Sequence, residues 1–144
     1  MSEKKLIQEA ESWYKQAVDD LEGAEVLLAA QKYALSCFCA QQAGEKALKA
    51  LWRFLDLDPW GHSCVRLVRD LPKDERSTFD EIMEAASALD KLYIPTRYPD
   101  ALAGLTPAET YVQNDGQAAI ASAQEILDYV KARISQTGDT TITS

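Results

Sequence analysis

Few residues in this chain are equipped for chemistry. The single histidine is His62, and an imidazole can move a proton near neutral pH or ligate a metal. It stands in Gly61-His62-Ser63, ahead of an amphipathic run. There it can meet a phosphate together with the open N–H groups of a helix start, or it is a partly buried capping residue. Arg97, Tyr98 and Asp100 belong to Ile94-Pro95-Thr96-Arg97-Tyr98-Pro99-Asp100. Its two prolines impose an extended or turned path and exclude a helix across it. Rigid presentation of an arginine beside an aromatic suits phosphate pairing and base stacking. The alternative is an arginine–carboxylate tether that fastens the loop to the rest of the molecule. Lys46, Lys49 and Arg53 form a basic ridge with Gln42 and Glu45, a further candidate for ligand binding. Charged ridges are often solvated faces, but Phe38 and Trp52 fall within the same stripe. Phe38, Gln42, Glu45 and Trp52 are therefore the candidate partner or dimer face. The cysteines Cys37, Cys39 and Cys64 lack ligand spacing, because Cys37 and Cys39 point to different faces of a helix. They read as small core thiols, and no metal and no cofactor is expected.

These residues need helices to position them. Ala34 to Leu55 is free of proline and rich in Ala, Leu, Glu and Lys, the composition of a strong helix. Cys39, Ala40, Ala43, Gly44, Ala47, Leu48, Leu51 and Phe54 cover an arc wider than a surface helix needs, so this helix should have neighbours on several sides. Before it, Leu6, Ala10, Trp13, Tyr14, Ala17, Leu21, Ala24 and Leu28 recur at helical period from about Glu3 to Gln31. The short link Gln31-Lys32-Tyr33 makes the two an antiparallel hairpin. After the break at Asp58-Pro59-Trp60-Gly61, a shorter helix carries Cys64, Leu67, Val68 and Leu71. A fourth, capped by Asp74 or Ser77, presents Phe79, Ile82, Met83, Ala86, Leu89 and Tyr93. Thr106-Pro107-Ala108-Glu109 has the cap, first-turn proline and acidic third position of a helix start and is read as a single turn. The last helix begins near Asn114, with Val112, Ala119, Ala123, Ile126, Val130 and Ile134 on its inner face, and ends at Gly138. The fold class is all-α: an up-and-down bundle of four to five helices with a long first hairpin. Residues 1–136 form one domain and residues 137–144 a polar tail.

Composition sets limits on function. The chain of 144 residues is 47% hydrophobic and carries a net charge of −8. An acidic body disfavours non-specific binding to nucleic acid or anionic membrane. The charge is uneven: residues 35–70 carry five basic and four acidic side chains, and both flanks are acidic. No run reaches the roughly 18 apolar residues of a membrane span, and the charged start MSEKKLIQEAE is unlike a signal peptide. A reduced, cytoplasmic protein is expected.

Taken together, WYKQAVDDLEGAEVLL (Trp13–Leu28), Tyr33-Ala34 leading into CFCAQQAGEKALKALW, Gly61-His62-Ser63 and Thr96-Arg97-Tyr98-Pro99-Asp100 resemble the HEPN domain in order and over nearly the whole chain. The AQQ-x-EKALKAL segment is its most specific piece. The resemblance implies a bundle of four or five helices, a homodimer, and a role near nucleotides or RNA. It also implies partnership with a minimal nucleotidyltransferase, or metal-independent ribonuclease activity of a toxin–antitoxin pair. The ribonuclease branch has an arginine followed four to six residues later by histidine, in which the imidazole moves the proton of a ribose 2′-OH and the guanidinium stabilises the phosphorane. This chain departs from that pattern: Arg53 is nine positions before His62, and no histidine follows Arg97. The pair His62 and Arg97 serves catalysis if folding or dimerisation joins them. With the spacing of the ribonuclease branch missing, the resemblance implies a nucleotide- or nucleic-acid-phosphate-binding module rather than an enzyme, with a pure dimerisation or interaction scaffold as the remaining reading.

Overall fold

Small side chains set the architecture. The computed structural model describes residues 2–75, 80–99 and 104–135. Its helices are α1 (Glu3–Ala29), α2 (Tyr33–Phe54), α3 (Cys64–Arg69), α4 (Asp80–Asp90), α5 (Pro107–Thr110) and α6 (Gln113–Ser135). Together they form the expected all-α bundle. Of α1, Ala10, Tyr14, Ala17, Leu21 and Ala24 are buried, alternating three and four residues apart on one face. The Ser2 hydroxyl caps its start by accepting from the Lys5 N–H at 3.2 Å. Gln31 takes a left-handed conformation, φ 63°, and ends the helix. The chain then turns directly into α2, which makes the expected hairpin.

Helix α2 packs against α1 and α6 and also touches α3, α4 and α5. It can do so because Ala34, Ala40, Ala43, Gly44, Ala47 and Ala50 are buried along it, with Leu48 and Leu51 fully enclosed. Each of these leucines contributes about 1.5–3 kcal/mol through its burial. At Gly44 a β-carbon would collide with Leu89 of α4 and approach Ile126 of α6 and Cys64 of α3. Four helices thus meet where there is no side chain. Gly116 has the same role at the other end, where a β-carbon would come within 2.7 Å of Leu28. The Ser36 hydroxyl spans that junction by donating to the Ala24 carbonyl at 2.7 Å. Farther along, Arg133 of α6 clasps Glu75 in the segment after α3.

Cys37 and Cys64 are buried, Cys39 is half-buried, and all three are free thiols. Burial pushes the Cys37 thiol up to about 12 and raises Cys39 and Cys64 as well. They remain protonated and unreactive at neutral pH.

Several boundaries differ from expectation. Helix α4 ends at Asp90, and residues 91–97 follow as turns, so Tyr93 lies beyond the helix. Pro95 restrains the residues just before it and cannot donate to a helical ladder. Val112 precedes α6 and is 56% exposed, off the inner face; its N–H donates to the Asp115 carboxylate at 2.8 Å. Ser77, Phe79, Asp100, Gly138 and the tail 137–144 lie outside the described residues.

Candidate functional site

Gln41, Glu45 and Lys49 repeat every fourth position and so share one side of α2. They are buried, at 0%, 3% and 9% exposure, in a helix otherwise sealed by alanine and leucine. Buried polar groups are costly unless partnered, and each of these is. Gln42 donates to the Gln41 side-chain oxygen at 2.8 Å. Gln41 in turn donates to Glu45 Oε1 at 3.2 Å and to the His62 carbonyl at 3.4 Å. Lys49 Nζ lies 3.1 Å from Glu45 Oε2, and His62 Nδ1 lies 3.2 Å from the same oxygen.

Glu45 is therefore the hub. A carboxylate only accepts, so the contact assigns the proton of a neutral His62 to Nδ1 and leaves Nε2 as an acceptor. The imidazole side chain is 57% exposed. Sequence spacing had assigned Glu45 to a partner face; buried at the foot of His62, it instead orients the ring.

The His62 ring stacks on Tyr93, centroids 4.9 Å apart and planes inclined by 15°. Tyr93 also carries Arg97, whose guanidinium carbon is 4.3 Å from the ring centroid. Phe38 and Tyr98 flank the same guanidinium at 5.0 Å and 4.8 Å, and Arg97 Nε donates to the Tyr93 carbonyl at 2.9 Å. Folding thus joins His62 and Arg97 through Tyr93, which the sequence reading had placed among core residues. Phe38, expected on a partner face, forms part of the aromatic support of Arg97. The loop stays in place because Thr96 is buried and donates to the Leu92 carbonyl at 2.5 Å.

Other candidates are placed elsewhere. Lys46 pairs with Asp20 at 2.7 Å, and Arg53 pairs with Glu9 at 2.8 Å and donates to the Leu57 carbonyl at 2.8 Å. These contacts seam α2 to α1, while Lys49 lies 5.6 Å over Trp13. The three cations therefore form no shared anion site. Trp52 is 8% exposed and donates from Nε1 to the Leu67 carbonyl at 2.7 Å, so it holds α3 against α2 and is not a surface residue. The start of α3 is also closed to a phosphate. Asp90 accepts from the Ser63 hydroxyl and from the N–H groups of Cys64 and Val65, at 2.7, 2.6 and 3.2 Å. The Arg66 N–H donates to Ser63 Oγ at 3.1 Å. His62 therefore works beside that helix end without drawing on its donors. Asp90 was not evident from the sequence, because its role depends on contact between α4 and α3.

Concave surface also exists away from this cluster. A cavity of about 340 Å³ between α1 and α6 is bordered by Glu22, Glu25 and Asp128 together with Lys131, a lining of net negative charge that disfavours a phosphate. Among the described residues no three metal-ligating side chains converge, and no helix is long and apolar enough to cross a membrane.

Comparison with known proteins gives a consistent result. A sequence model of the HEPN domain matches residues 10–133. A crystal structure of a Thermus thermophilus protein, TT1696, superposes with a TM-score of 0.82 and 43% identity, covering 86% of this chain and 97% of that one. An archaeal HEPN homologue, ST0689, gives a TM-score of 0.73 and 38% identity over 86% of this chain and 96% of its own. A Methanocaldococcus jannaschii protein named as a putative toxin is 28% identical over 133 residues, 87% of this chain and 88% of its own.

Proposed function

The chain belongs to the HEPN domain family, and from that premise we propose that Glu45, His62, Tyr93 and Arg97 form a binding site for the phosphate ester of a nucleotide or RNA. One observation carries this reading: the imidazole and the guanidinium lie 4.9 Å and 4.3 Å from the centroid of the same Tyr93 ring. Aromatic faces hold the Arg97 charge in place without neutralising it, so it stays available for charge-assisted bonds to phosphate oxygens. In a chain of net charge −8 such a site must rely on local cations. The family reading adds a homodimer and partnership with a minimal nucleotidyltransferase. The relative named as a putative toxin supports a place in a paired toxin system.

Titration of the purified protein with nucleoside mono- and triphosphates by calorimetry tests the site. Binding heat that disappears in Arg97→Ala and weakens in His62→Ala supports it; no heat with any of them, in wild type or variant, refutes it.

A second reading, metal-independent RNA cleavage, draws on the Glu45–His62 contact. With its Nδ1 proton held by Glu45, His62 offers Nε2 to take the proton of a ribose 2′-OH. The 2′-oxygen then attacks the adjacent phosphorus, Arg97 stabilises the phosphorane, and the 5′-oxygen departs and takes up a proton, leaving a cyclic 2′,3′-phosphate. Arg97 follows His62 in the chain, unlike the arginine-then-histidine order of the ribonuclease branch, so here tertiary contact takes the place of sequence spacing. Cleavage that resists EDTA and is lost in both His62→Ala and Arg97→Ala establishes catalysis. Cleavage that survives either change assigns it to another protein in the preparation.

A further inference from the structure

Trp60 is placed where a core residue would not be. It is 56% exposed and belongs neither to the buried core nor to the partly buried side chains packed against it, although Trp52 is enclosed. Tryptophan is costly to leave in water, and the segment bearing it is well anchored. Asp56 and Gly61 take left-handed conformations on either side of it, φ 58° and 80°. The Leu57 N–H donates to the Trp52 carbonyl at 2.9 Å, and the Leu57 carbonyl accepts from Arg53 at 2.8 Å. Beyond Trp60, the His62 carbonyl accepts from Gln41 at 3.4 Å. This pinned turn holds the indole outward, two residues before His62.

One face of the indole is covered by a cation. The Arg66 guanidinium carbon lies 3.9 Å from the ring centroid. The side chain of Arg66 is 46% exposed, and its Nε pairs with Asp70, 3.6 Å from Oδ2. The guanidinium thus supports the ring and keeps donors to spare for an anion. With one face covered and more than half the residue exposed, the other face is open to a planar group. Stacking on aromatic and guanidinium planes is how single-stranded nucleic acid is held, because every base has a π-face.

We propose that Trp60, backed by Arg66, is a base-stacking subsite for single-stranded RNA, seating the nucleotide next to the phosphate held by His62 and Arg97. This rests on the phosphate-site reading above and narrows its ligand to an RNA strand in preference to a mononucleotide. Base stacking tolerates sequence, so the subsite contributes affinity and register with little base preference.

A fluorescein-labelled 2′-O-methyl oligouridylate, which cannot be cleaved through its sugar hydroxyl, tests this by fluorescence anisotropy, with uridine monophosphate measured alongside by calorimetry. Trp60→Ala should weaken the oligonucleotide by about 5- to 150-fold and leave the mononucleotide unchanged. Trp60→Phe should retain most of the affinity, and Arg66→Ala should lose part of it. Unchanged thermal unfolding of Trp60→Ala accompanies these results, since the side chain lies outside the buried core. Equal oligonucleotide affinity in wild type and Trp60→Ala overturns the subsite. If His62→Ala and Arg97→Ala still abolish binding in that case, the phosphate site stands without it. Oligonucleotide binding that depends on Trp60 but not on His62 or Arg97 upholds the stacking surface and removes the phosphate site. Trp60-dependent self-association in sedimentation, with oligonucleotide affinity unmoved, reassigns the ring to a protein contact and overturns the proposal.

Discussion

Two basic regions of this molecule use the same residue types to different ends. Along the seam of α1 and α2, Lys46 and Arg53 meet Asp20 and Glu9 at 2.7 and 2.8 Å. At the other edge of α2, Arg97 is held by the rings of Phe38, Tyr93 and Tyr98. A carboxylate cancels the charge it anchors, whereas an aromatic quadrupole anchors the charge and leaves it standing. The seam therefore serves the fold, and the aromatic cradle keeps the charge that the proposed ligand site needs. A basic ridge in a sequence tells nothing about function until its partners are known.

Glu45 pairs with the buried Lys49 and contacts His62, and replacing it should have the largest effect. Glu45→Ala leaves the buried Lys49 without its carboxylate and removes one of the two acceptors of Gln41. Removing one partner of a buried ion pair costs about 3–5 kcal/mol, so a fall of this order in chemical denaturation is expected, with loss of phosphate binding. Unchanged stability would place Glu45 in the seam's class of weak pairs.

Arg97→Ala and Arg53→Ala should then behave as opposites. Arg97→Ala should lower phosphate affinity by at least tenfold, the effect of about 1.5–3 kcal/mol for a hydrogen bond to a charged group, with little change in unfolding temperature. Arg53→Ala should lose stability and keep its affinity. If both arginines weaken ligand binding alike, the contrast between carboxylate-held and ring-held cations fails.

Alkaline pH should act on the bundle through residues away from the site. Burial, and to a lesser extent Asp128, pushes Tyr14 up from 10.0 to about 12; burial, and to a lesser extent Asp115, pushes Cys37 up from 9.0 to about 12. Between these bounds the unfolded chain releases protons that the folded chain keeps, so stability is full below about pH 9 and falls toward pH 12. Unfolding temperature should drop across that window, and less steeply in the Tyr14→Phe, Cys37→Ala double variant. A parallel decline in wild type and variant would assign the loss to other groups. The smallest effect belongs to Lys46→Ala. Its pair is partly exposed and should be worth about 0.2–1 kcal/mol, measured by double-mutant cycle with Asp20→Ala.

The bundle was largely legible in the sequence. The faces of α1 and α6 follow from residues recurring every three or four positions, and the single turn of α5 from a complete capping box at Thr106 and Glu109. The Ala- and Gly-rich arc of α2 foretold a helix with neighbours on several sides, since only small side chains let several backbones approach it. The site was legible in part. His62 and Arg97 stand out as rare or rigidly presented residues. A spacing of four between Gln41, Glu45 and Lys49 inside an alanine-rich helix was the available sign of a buried polar network.

Local pattern therefore determined helix content, the first hairpin and the inner faces, because each depends on neighbours within a few residues along the chain. Only the tertiary structure decided what each charge faces. It brought Tyr93 between His62 and Arg97, turned Glu45 from a surface residue into the support of an imidazole, and closed the start of α3 with Asp90. Apart from Tyr93 and Arg97, which are four positions apart, those contacts join positions 17 to 31 residues apart. Periodicity cannot register such separations, because they depend on how whole helices meet.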